Sequence, residues 1–134
     1  MGTRPGVQTK TVTPREFLLS DHKIAVAVTI DSTARDNYDE DGSTTHTPTT
    51  TLRKGLVLGK ITADGTYAQY DDNASDGTEV AAGILEEEVD LLDANATAQD
   101  TDGVIVIHGY VDESQLYGID ANGKTDLSDQ ILFG

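Results

Sequence analysis

The chain has no cysteine and no tryptophan, and only two phenylalanines, one methionine and three prolines in 134 residues. Without cysteine there is no disulfide, no thiol nucleophile and no thiolate zinc site. So few large aromatics leave a core of aliphatic side chains and tyrosine, and the abundance of Thr, Asp and Gly favours short strands and many turns over helices. Long apolar runs are missing as well. No stretch approaches the roughly 20 residues needed to cross a bilayer, and the N-terminus lacks the apolar centre of a signal peptide. The expectation is a soluble chain with no membrane partner, folded as one domain around one modest core.

Cations are scarce after residue 60. Residues 1–60 hold eight Lys and Arg against seven acids, net +1, whereas residues 61–134 hold Lys124 alone against seventeen acids, net −16, which together give the formal charge of −15. An anionic body repels phosphate, so no nucleic-acid partner is expected. The imbalance has two readings: plain solubility, or an anionic body turned to solvent while the near-neutral front meets a partner.

What is present is centred on residues 55–85. Leu56, Val57 and Leu58 lie between Gly55 and Gly59, with Ile61 at the alternate position, the pattern of a strand with a buried face. Asp64-Gly65 predicts a tight type I′ hairpin, because both central residues of that turn need positive φ. Residues 66–70 form the return strand, residues 71–77 an acidic loop, and residues 81–85 a closing strand whose small residues permit close backbone approach while Ile84 and Leu85 enter the core.

Around this centre, residues 1–16 have no apolar period and read as an extended N-terminal arm. Val7, Thr9, Lys10, Thr11, Val12 and Thr13 carry high β propensity, so the arm is either a strand added to another sheet's edge or a frayed terminus. The domain proper is expected over residues 17–134, with Phe17, Leu18 and Leu19 the first anchors to a core. Alternation of Ile24, Val26, Val28 and Ile30 with Ala and Thr predicts a strand. Residues 34–51 are polar and long for a loop, and read as a surface insertion with a loose hairpin at Asp41-Gly42. Glu86, Glu87 and Glu88 read as a solvated strand end. Residues 103–111 are the most apolar and predict a buried strand, Asp112 caps a short helical turn, and residues 120–123 read as a turn. Ile131, Leu132 and Phe133 end the chain as an apolar tail, costly to leave in water, to be packed in the core or at a subunit contact. Phe17, Leu18 and these three are the candidate subunit contacts.

Motifs for chemistry are weak. Asn37, Asp39, Asp41 and Gly42 fit the opening of a calcium loop, but Pro48 stands where the bidentate Glu belongs. Asp72, Asp76 and Gly77 match a second loop whose remaining ligand positions hold Ala74 and Gly83. His22, His46 and His108 are far apart and lack metal-ligand spacing. No serine stands in a nucleophile elbow and no phosphate-binding glycine loop occurs, Gly55 and Gly59 reading as strand-end turns instead. The expectation is no catalytic residue, no metal, no cofactor and no enzyme.

The order Arg53-Lys54-Gly55-Leu56-Val57-Leu58-Gly59-Lys60, Gly65-Thr66-Tyr67, Ser75-Asp76-Gly77-Thr78, Ala82-Gly83-Ile84-Leu85-Glu86-Glu87-Glu88-Val89-Asp90 and His108-Gly109-Tyr110-Val111, with Glu113 and Leu116 behind, resembles the head decoration proteins of tailed bacteriophages, the group of the lambda head decoration protein D. The likeness covers about residues 17–117, and residues 34–51 depart from its compact pattern. The resemblance implies a mainly β, β-tulip fold and a homotrimer on the outside of the expanded capsid. It sits at threefold positions, cements the major capsid protein against DNA pressure, and lays its N-terminal arm on the shell. Such a protein is made in the host cytoplasm and ends in the virion. The alternative is a structural β module of a phage tail or bacterial surface assembly that binds protein or glycan.

Overall fold

The computed structural model describes residues 17–19, 22–38 and 47–134. The arm positions 7–13, the expected hairpin at Asp41-Gly42, His46, and the calcium-loop positions 39, 41 and 42 lie outside the described residues. The fold is mainly β with one short α-helix. Its strands are β1 (Ile24–Ile30), β2 (Thr51–Leu52), β3 (Val57–Lys60), β4 (Tyr67–Gln69), β5 (Ala81–Leu85), β6 (Val89–Asp90), β7 (Thr101–Val111) and β8 (Ile131–Phe133). A single 3-10 turn (Glu113–Gln115) and helix α1 (Ala121–Leu127) stand between β7 and β8.

Six strands form one sheet in the order β1-β4-β3-β5-β7-β8, and β1 also pairs with β7, so five strands close on themselves like a small barrel with β8 as an added edge. β7 is the spine. Residues 101–106 and His108 pair antiparallel with β1, with a register shift that passes over Ile107, Ile105 and Val106 pair with β5, and its last three run parallel to β8. Because neighbouring residues of a strand point to opposite faces, the apolar run in β7 feeds two cores: Ile105 joins Ile30, Leu58, Leu85 and Leu91, while Val106 joins Phe17, Val57, Ile84, Leu127 and Ile131. Two buried faces explain why this strand is nearly continuous in apolar residues.

Several expectations need correction. Asp64-Gly65 does not make a type I′ turn. Gly65 has φ +78 but Asp64 is not in the left-handed region; the loop closes instead from Ile61 to Thr66, with the Asp64 carboxylate accepting from both the amide and hydroxyl of Thr66. Gly59 is no strand-end turn. It lies within β3, where a Cβ would sit 2.6 Å from the Thr78 Cα. Residues 120–123 are the start of α1 rather than a turn, with the Asp120 side chain accepting from the Gly123 amide at 2.7 Å. Glu86 is not solvated: it is half-buried in an ion pair with Lys23, whereas Glu87 and Glu88 are exposed. β7 begins two residues before the expected start, and only part of it is buried.

The stem of the 34–51 segment is built into the body. Asp36 and Thr49 exchange backbone hydrogen bonds at 3.0 and 2.9 Å, and Ala34 and Asp36 are fully buried. Both Asp36 oxygens are used: Oδ2 accepts from the Arg53 amide and Nε, and Oδ1 accepts from the Tyr38 amide and the Arg53 guanidinium.

Candidate functional site

Residues 17–19 run along the same edge of β7 that β1 occupies: Leu18 bridges Val111, the Leu19 amide donates to the Tyr110 carbonyl, and Ile24 then pairs with His108. On the other edge Tyr110 pairs with Leu132 of β8. Residues directly opposite in a ladder share a face. Leu19, Ile24, His108, Tyr110 and Leu132 therefore stand on one face, and Val111, Ile131 and Phe133 on the other, against the second core.

Most of the first face is exposed among the described residues. Leu132 is 68% exposed, Ile24 51%, Leu19 46% and Tyr110 41%. They are contiguous: the Leu19 methyl and the Tyr110 ring both crowd Gly134, and His22, His108, Tyr110, Gln130 and Leu132 line one open depression of about 290 Å³. The imidazoles of His22 and His108 meet edge to face with centroids 5.4 Å apart. None of the seven side chains of Leu19, His22, Ile24, His108, Tyr110, Gln130 and Leu132 is a carboxylate.

The carboxylates gather where β1 ends and β7 begins. Asp31 follows Ile30, Asp100 accepts from the Ser32 amide, and the Thr66 hydroxyl bridges Asp31 and Asp64. Hydrogen bonding from Thr33 holds the Asp31 carboxyl below the usual range, against desolvation, which raises it. A polar cleft of about 590 Å³ lies to the side, lined by Arg35, Tyr38, Asp71, Asp72 and Asp120 among others. Its polar groups are used within the chain: the Tyr70 hydroxyl donates to Asp120 at 2.8 Å, Asn122 donates to Asp72, and Arg35 donates to the carbonyls of Ser32 and Ala34.

Of the expected subunit contacts, Phe17 and Ile131 are spent inside the chain at 1–2% exposure, and Leu18 and Phe133 pack partly on the second core. Leu132 alone among them points outward. Leu19, expected as a core anchor, is instead exposed, and sequence reasoning missed Leu19, His22, Ile24, His108 and Tyr110 as a group. They meet only through long-range pairing, and the alternation of His108 and Tyr110 in β7 was the one available signal. It also left the histidines apart, where the fold brings two together. Among the described residues no cluster of His, Asp and Glu is arranged to hold a metal ion, and no helix is long and apolar enough to cross a membrane.

Comparison with known families gives a match of residues 7–130 to the family model of the bacteriophage lambda head decoration protein D. A search of curated proteins returns no match.

Proposed function

The chain belongs to the bacteriophage lambda head decoration protein D family, and from that membership we propose that it decorates the outside of the expanded phage head. In this reading it acts as a homotrimer at threefold positions, binds the major capsid protein and stabilises the shell against packaged DNA. The family match over residues 7–130 carries the reading. A cement protein needs contact area rather than a catalytic group or cofactor, and multivalent seating sums weak contacts into a firm lattice.

The same reading assigns the parts of the chain. Residues 1–16 are the arm, laid on the capsid through Val7, Thr9, Lys10, Thr11, Val12 and Thr13, and residues 17–134 are a β-tulip domain. The arm joins the domain at Phe17, beside the apolar face, while the carboxylates at the far end of the barrel face solvent. Co-sedimentation with expanded heads and unexpanded procapsids tests this. Binding to expanded heads is expected, and binding to neither particle refutes the proposal. Deleting residues 1–14 should abolish attachment and leave a folded domain; equal binding by the truncated chain refutes the arm's role.

A further inference from the structure

We propose that Asn122 is a modification site: it deamidates when helix α1 opens and is protected while α1 stays closed. This chemistry needs no partner and is independent of the decoration reading.

Four asparagines occur in the chain, and only Asn122 is followed by glycine. Deamidation begins when the backbone nitrogen of the next residue attacks the asparagine Cγ. A C–N bond forms, the carboxamide C–N bond breaks and ammonia leaves; water then opens the five-membered imide to aspartate or isoaspartate. Glycine favours the ring because it has no Cβ in the way and its backbone reaches the conformations that closure requires.

Closed α1 opposes the attack at both atoms. The Gly123 amide lies in the first turn, directed along the helix axis, and donates to the Asp120 carboxylate at 2.7 Å. The exposed Asn122 carboxamide is turned to the 71–77 loop, where it donates to Asp72 Oδ2 at 2.8 Å. The lock is small. Seven residues with poor helix formers are marginal as a helix, and only Gly123 and Leu127 of α1 are buried. Elsewhere α1 is tied by polar contacts: Tyr70 donates to Asp120, the Ala81 amide donates to Asp126 at 2.9 Å, and Lys124 pairs with Glu113. A segment with few buried apolar contacts opens at lower free energy than the core. Deamidation then works against closing again. The new carboxylate meets Asp72 where a donor stood, so attraction becomes repulsion between like charges, and isoaspartate adds a backbone atom that breaks the hydrogen-bond register of the first turn.

Peptide mapping of the full chain, held folded at mildly alkaline pH, reads the reaction as the mass change of amide to acid together with isoaspartate in the product. Conversion of Asn122 ahead of Asn37, Asn73 and Asn95 is expected, and at a lower rate in the folded chain than in urea. Asp120→Ala removes the cap and should speed conversion about fivefold, the population change that a cap of about 1 kcal/mol controls. Four results overturn the proposal: another asparagine converting first, equal rates in the folded and urea-unfolded chain, an Asn122 that stays intact while the unfolded chain converts, or Asp120→Ala no faster than the parent. If that variant does not fold, Asp72→Ala at an exposed position decides instead: faster conversion supports the lock and an unchanged rate refutes it.

Discussion

Asp36, fully buried, and Arg53, partly exposed, form a bidentate ion pair, Nε to Oδ2 at 3.0 Å and Nη2 to Oδ1 at 3.1 Å, while the guanidinium stacks 4.1 Å above the ring of Tyr117. The pair fastens the described ends of the polar 34–51 segment to the first core, because the same carboxylate also accepts from the amides of Tyr38 and Arg53. Asp36 would be ruinous in a core without these donors; with them it sets where the segment leaves and rejoins the barrel.

Removing one partner leaves the other stranded. Arg53→Met should cost about 3–5 kcal/mol in urea unfolding, since Asp36 then stays buried without its cation. In a double-mutant cycle with Asp36→Ala the two losses should be far from additive.

Leu127 and Leu132 separate core from surface. Leu127→Ala should cost about 2–5 kcal/mol, because Leu127 is 1% exposed in the second core. Leu132→Asp should change stability by no more than about 0.5 kcal/mol. Thermal melts of both variants check the contrast.

Gly59 is required for closeness rather than for a turn. Gly59→Ala places a Cβ 2.6 Å from the Thr78 Cα and 2.8 Å from its carbonyl oxygen, both backbone atoms that cannot swing aside. A loss of about 1–3 kcal/mol is expected from such overpacking, read as a lower urea midpoint.

Stability should fall at both ends of the pH range. Burial, then the hydrogen bond to Asp120, raises the Tyr70 hydroxyl, and burial raises Tyr38. A phenol whose folded value lies above its unfolded value of about 10 stabilises fully below pH 10, and that contribution is lost as the pH rises further. Tyr70→Phe should flatten the alkaline limb. Asp31 acts in the other sense: its lowered value contributes stability above about pH 4 that is lost as the pH falls through its folded value. Urea midpoints from pH 3 to 11 measure both limbs.

The local patterns were legible where one face of a strand decides burial. Alternation places β1 at its observed bounds, and the apolar run finds β7. Asp112 is the expected cap, its side chain accepting from the Ser114 amide. Helix α1 was hidden because Ala-Asn-Gly-Lys-Thr-Asp-Leu has poor helix formers, and it is held instead by the Asp120 cap and by Leu127 in the core. The exposed face was hidden for another reason. Ile24 and Val26 read as core residues by period, but both are exposed, and a register shift against β7 between Ile24 and Ala25 breaks the alternation at that end of β1.

Imaging expanded heads with and without saturating chain by electron cryo-microscopy tests the central claim most directly. Added density on the outer surface at the threefold positions, made of three barrels of this size, is the predicted result. Heads whose outer surface is unchanged by the chain would contradict it.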